Sequence, residues 1–178
     1  SYQSWASGYI KRSSELGYFT GFPDGTFRPS ESVLPEQICK VMLKLLGYGN
    51  ESAGVNWAQS QISAAGGKGL LDGVEYKTGE PITRINAAKI IKNTLLAQKK
   101  DSDQYLISDM GYTYYENAVV RTDKNVQSGY VLTSAGTFKR GDISQDMVSK
   151  KGGLIVNRKN EIFVFLPAVQ HCNSYIAK

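Results

Sequence analysis

Nine residues decide how the first half of this chain is read: Gly21-Phe22-Pro23-Asp24-Gly25-Thr26-Phe27-Arg28-Pro29. Two prolines and an Asp-Gly in so short a run predict a compact, turn-rich loop. On its N-terminal side, Trp5, Tyr9, Ile10, Ser13 and Leu16 fall near helical spacing, and Gly17 is placed to stop a helix. On its C-terminal side, Pro35 suits a first helical turn. Ile38, Val41, Met42, Leu45 and Leu46 then form an i, i+3, i+4, i+7, i+8 stripe that Gly47 closes. The stretch reads helix, loop, helix.

The same order returns further along. Trp5-Ala6 recurs as Trp57-Ala58, and at that offset of 52 Ile10 meets Ile62, Gly17 meets Gly69 and Gly21 meets Gly73. A three-residue deletion then changes the offset to 49, where Val33 meets Ile82, Lys40 meets Lys89 and Val41-Met42 meet Ile90-Ile91. The chain has two tryptophans, and each opens a repeat. Both lie on apolar helix faces and are expected in the core. Thr83 is a good N-cap for the second repeat's second helix, with Ala87, Ile90, Ile91 and Leu95 as its buried stripe. The matching cap position holds Leu34, which has no acceptor, so that end is expected to be weaker by about 0.5–2 kcal/mol. A hairpin of this size cannot bury both faces alone and must pack on its neighbour.

Beyond these repeats (1–49 and 50–97) the composition changes. Gln98 to Gln104 is polar and reads as a linker. From 105 to 178 the pattern is β-like, with short aromatic or β-branched runs at Tyr112–Tyr115, Ala118–Thr122 and Tyr130–Thr133. Gly153–Asn157 and Glu161–Leu166 flank Arg158-Lys159-Asn160 as a hairpin, and a last strand is expected through Ser174–Ile176. The fold class is α+β: helical repeats, then a small antiparallel barrel or sandwich.

With 178 residues, 41% of them hydrophobic, the chain can pack a core, and no apolar run approaches the roughly 18–20 residues of a membrane span. It opens Ser1-Tyr2-Gln3 without an initiator Met, as a processed chain or a cut piece would. Cys39 and Cys172 make no disulfide framework and no C-x-x-C, and whether they pair is open. The net charge of +5 is uneven: residues 1–100 hold 12 Lys and Arg against 8 Asp and Glu, residues 101–178 hold 9 against 8. The excess sits on the repeats, where an anion-binding module would want it.

Trp5-Ala6, Gly17, the Gly21–Pro29 loop and the helix after it resemble an S-layer homology repeat. That family shows a Trp-Ala start, a Gly-Tyr-x-Asp-Gly-x-Phe-x-Pro loop and an Ile-Thr-Arg-Ala-Glu start to its second helix; the second repeat keeps Ile82-Thr83-Arg84 of the last. The resemblance covers about residues 1–97 and implies attachment of a secreted protein to a Gram-positive cell wall or S-layer. Such repeats usually work in threes, their grooves binding an anionic, often pyruvylated, secondary wall polysaccharide. The glycan-binding candidates it implies are Thr83 and Arg84, with Asp24, Gly25 and Arg28 of the loop. Arg84, at the first turn of a capped helix, offers a guanidinium beside free backbone N–H groups. The sequence also departs from the family: Pro35 stands where the first repeat should carry the arginine, and Gln37 and Asn86 where an acid is expected. Asp24-Gly25 is first of all a turn, and Arg28 has its own loop within reach.

Catalysis finds little footing. The one histidine, His171, is adjacent to Cys172, and neighbours in a strand face opposite ways. No metal cluster, phosphate loop or nucleophile elbow is present, so no cofactor and no metal are expected. A nucleic-acid partner is not expected either, because the β half carries too little charge to track phosphates. What remains is a non-catalytic envelope protein whose partner is a wall polysaccharide, or a degenerate scaffold whose partners are neighbouring envelope proteins. Its oligomeric state is open.

Overall fold

In a computed structural model the described residues are 5–22, 24–49, 55–121, 127–141, 143 and 147–168. The chain divides into two compact units, 1–106 and 107–178. Among the described residues the first holds four helices and the second a five-stranded antiparallel sheet, so the class is α+β.

In the first unit, α1 spans Ser7–Glu15, α2 Pro35–Leu45, α3 Trp57–Gly67 and α4 Arg84–Leu95. Glycine stops three of them by the same device. Gly17, Gly47 and Gly69 sit at φ of 70°, 90° and 71°, and the next residue's N–H returns to a helical carbonyl: Tyr18 to Ser13, Tyr48 to Leu43, Leu70 to Ala65. This left-handed turn satisfies carbonyls that would otherwise be orphaned, and only glycine adopts it without strain. At the start of α4, Thr83 Oγ1 accepts from the N–H of Asn86 at 3.3 Å, as a cap should. Leu34 offers no such acceptor; there Gln37 Oε1 accepts from the Leu34 N–H at 3.0 Å, half of a reciprocal cap. The starts of α2 and α4 are joined by an Ile82 N–H to Val33 carbonyl bond of 2.9 Å.

The core of this unit lies where α2 meets α3 and α4, and gathers Cys39, Leu43, Leu46, Ile62, Ala65, Leu70 and Ile90. Two expectations are corrected here. Trp5 is 76% exposed and Trp57 37%: Trp5 precedes α1, which buries no residue of its own, and Trp57 opens α3, whose buried positions are Gln61, Ile62 and Ala65. In α4 the buried positions are Asn86, Ile90 and Thr94, whereas Ile91 faces out. Thr94 is tolerated inside because its hydroxyl donates to the Ile90 carbonyl at 2.8 Å. The polar stretch 98–104, read from composition as a linker, is a hydrogen-bonded turn: Lys99 N–H reaches the Gln104 carbonyl, and Lys100 N–H reaches that of Leu46 at 2.7 Å.

A short 3-10 helix, Leu106–Met110, precedes the sheet. Its strands are β1 Thr113–Arg121, β2 Tyr130–Thr133, β3 Gly136–Lys139, β4 Lys151–Val156 and β5 Ile162–Pro167, in spatial order β3-β2-β1-β4-β5. The two runs expected at 112–115 and 118–122 are one strand, interrupted by a register shift after Tyr115 at which Asn117 takes φ 61°. The sheet curls around one core of Ala118, Val120, Val131, Phe138, Leu154, Val156, Ile162 and Phe165. Its edges meet at a bridge between Lys139 and Glu161, so it is a curled sheet touching at its seam and not a two-sheet sandwich. β3 escaped the sequence reading, and the 158–160 turn is present with Asn160 at φ 60°. The strand expected at 174–176, together with His171 and Cys172, lies outside the described residues.

Candidate functional site

The Gly21–Pro29 loop is held by its own side chains. Asp24 Oδ1 accepts from the Thr26 N–H at 2.9 Å and the Thr26 hydroxyl at 2.6 Å, while Asp24 Oδ2 accepts from Arg28 Nη2 at 2.6 Å. Arg28 Nε donates to Thr26 Oγ1 at 3.0 Å, its Nη1 lies 3.5 Å from Glu31, and its guanidinium carbon sits 4.2 Å from the centre of the Phe22 ring. These contacts hold Arg28 at φ 50°, a left-handed conformation that is unfavourable away from glycine. Gly21 is required by approach as well as by its φ of 69°, since a Cβ there would stand 2.8 Å from the Thr26 carbonyl oxygen. Gly25 (φ 79°) donates back to the Phe22 carbonyl at 2.9 Å and closes the turn.

The hydrogen bonds from Thr26, and then the one from Arg28, hold the Asp24 carboxyl below the ordinary aspartate value of 3.8. A carboxylate with a depressed pKa contributes its loop stabilisation above the unfolded value, and that contribution disappears as pH falls through the lower folded value. In a carboxyl-carbon NMR titration, Asp24 should therefore show its midpoint below 3.8, and Arg28→Gln should move it upward. A midpoint at or above 3.8 would mean that the network is not formed in solution.

Between this loop and α1 runs an open cleft of about 620 Å³. Ser7, Lys11 and Ser14 line it from the helix, and Thr20, Thr26 and Phe27 line it from the loop. Ile10, Glu15 and Pro29 line it too, so the cleft offers hydroxyls, one ammonium, one carboxylate and an apolar floor with one aromatic ring. Sequence reasoning missed Lys11 and Ser14; their i, i+3 spacing on α1 was the available signal.

Of the five residues expected to form the site, the structure brings Asp24, Gly25 and Arg28 together in the loop, and Gly25 reaches the cleft lining. Thr83 and Arg84 stand apart at the start of α4 and do not line the cleft. Both are exposed, and among the described residues no carboxylate pairs with Arg84. The second repeat has an Asp-Gly turn at Asp72-Gly73 (Gly73 φ 68°), and its loop is gripped by Asn86, which donates to the Glu75 carbonyl at 2.7 Å and accepts from the Glu75 N–H at 3.4 Å. The corresponding positions of the second helices, Lys44 and Asn93, play parallel parts. The Lys44 ammonium donates to the Gly17 carbonyl, and the Asn93 amide donates to those of Leu70 and Asp72.

The family model of the S-layer homology domain matches residues 1–34. This stretch is similar to an S-layer homology domain. It contains α1, the Asp24–Arg28 loop and both walls of the cleft. Two curated proteins of Acetivibrio thermocellus are similar to the chain. Cell surface glycoprotein 1 is 31% identical over 96 residues, which is 46% of this chain and 4% of that protein. A cellulosome-anchoring protein is 30% identical over 99 residues, 49% of this chain and 22% of that protein. The chain thus spans a small part of the length of either relative. No solved structure matches it. Among the described residues, no helix is long and apolar enough to cross a membrane, and no group of three His, Cys, Asp or Glu could hold a metal ion.

Proposed function

We propose that this chain is a non-catalytic part of a bacterial cell envelope, attached to an anionic secondary cell-wall polysaccharide through its S-layer homology segment and the repeat that follows. The observation that carries this reading is the coincidence of the family match with the cleft: residues 1–34 supply both its walls. The name of one relative, a cellulosome-anchoring protein, points the same way. Lys11 on the cleft and Arg84 at the α4 N-terminus are exposed cations, and a guanidinium beside free helical N–H groups suits carboxylate or pyruvyl oxygens. Burial, and secondarily Glu36, pushes the Cys39 thiol up to about 12, so it is protonated and a poor nucleophile at neutral pH.

The other reading is a scaffold that contacts neighbouring envelope proteins and no glycan. It draws on Arg28, whose charge is already engaged by Asp24, Glu31 and Phe22. Charge reversal separates the two. Arg84→Glu should weaken retention on purified Gram-positive wall sacculi about tenfold or more, equivalent to about 1.4 kcal/mol, with the circular dichroism spectrum unchanged. Retention equal to the parent chain would favour the scaffold.

A further inference from the structure

The contact between the two repeats is made of two unlike halves, and the chain carries an open example of each. On α2 the stripe Glu36, Cys39 and Leu43 is buried, at 3%, 0% and 4% exposure, where α3 and α4 pack on that helix. The same positions of α4, 49 residues on, are Ile85, Ala88 and Lys92, and all three are exposed, Ile85 at 66%. The receiving half shows the mirror of this. On α3, Gln61, Ile62 and Ala65 are buried at 7%, 6% and 0%. Their counterparts on α1, 52 residues earlier, are Tyr9, Ile10 and Ser13; Tyr9 is 75% exposed and the other two are only half-buried. These surfaces mix apolar residues with Glu36, Gln61, Ser13 and Lys92; packing covers one pair and leaves the other open.

We infer that the α4 stripe of one copy of this chain packs on α1 of a second copy, repeating between molecules the α2-to-α3 contact that exists within each. A surface whose halves differ is heterologous: it adds subunits head to tail and closes a ring only if the rotation allows. A second copy is the partner that fits, because every copy presents both halves and the joint they would form is already built once inside the chain. The joint shares α1 with the cleft through Ile10 and begins on α4 beside Arg84, so self-association is measured in the absence of wall material.

Unlike halves give a sharp test. Sedimentation of the full chain, with a thiol reductant present, should show the average mass rising above the 19.6 kDa monomer as concentration increases through the micromolar range. Tyr9→Asp and Ile85→Asp should each return it to monomer. Both substitutions place an acid in the first turn of an exposed helix, which favours helix formation, and circular dichroism confirms that each variant is folded. An equimolar mixture of the two variants should recover a 1:1 dimer, because each retains the half the other has lost. A parent chain that stays monomeric throughout, association that survives Ile85→Asp, or variants that do not recombine on mixing would each overturn the inference.

Discussion

Gly152→Ala should cost the β unit at least about 3 kcal/mol, at or beyond the upper end of ordinary overpacking. Gly152 is buried in β4 opposite Pro167, and an added Cβ would stand 2.2 Å from the Leu166 carbonyl oxygen and 2.8 Å from the Pro167 Cα. Both obstacles are backbone, so no rotamer change relieves them; β5 would have to leave β4 at that end. The loss also reaches the core, since Leu154 and Phe165 face each other two residues further along the same pair of strands. With total stabilities of about 5–15 kcal/mol, such a change removes a large share of what holds this unit folded. Hydrogen exchange should show protection lost along 151–156 and 162–167. Unchanged protection there would mean that the two strands are not this close in solution.

Ile90→Ala should have a comparable effect on the helical unit, about 2–5 kcal/mol, because the cavity left behind adds to the lost transfer energy. Ile90 is fully buried and shares a core with Leu43 and Leu46 of α2 and Ile62 of α3, so its removal opens a void among three helices. Ile91 is the natural control. It belongs to the apolar stripe read from sequence but is 44% exposed, so Ile91→Ala should stay within about 0.5 kcal/mol, as surface substitutions do. Denaturation followed by circular dichroism at a helical wavelength compares the two. Equal costs at 90 and 91 would place α4 at a different rotation about its axis.

Ile90 and Ile91 also show what the sequence could and could not reveal. Local chemistry was legible. The Asp24-Gly25 turn, the stops at Gly17 and Gly47, the Thr83 cap and the Arg158–Asn160 hairpin turn each depend on one or two residues whose backbone preferences are strong. Rotation about a helix axis was less so. The α4 pattern permits a stripe through Ile90 and Ile91, but the buried line runs Asn86, Ile90, Thr94, because polar side chains with internal partners occupy two of its positions. Tertiary coverage was not legible at all. Trp5 and Tyr9 lie on an apolar face, yet periodicity identifies a face and does not say whether anything covers it. β3 was missed for a different reason: Gly136-Thr137-Phe138-Lys139 is four residues long, and Phe138 is its single strongly apolar member.

The candidate site divides in the same way. The loop motif and the Thr83-Arg84 pair could be found by motif because they are contiguous. Lys11 and Ser14 could not, since they gain meaning only when α1 folds back beside the loop. Arg28 carries the reverse lesson: an arginine expected from the sequence to meet a glycan turns out to be hydrogen-bonded and ion-paired within its own turn.

Binding to purified Gram-positive sacculi, before and after the secondary polysaccharide is stripped from the peptidoglycan, tests the anchoring account most directly. The account predicts that the chain sediments with intact sacculi at low salt, is released as salt rises, and stays in solution with stripped ones. Retention on stripped sacculi equal to that on intact ones, or no retention at low salt, would contradict it.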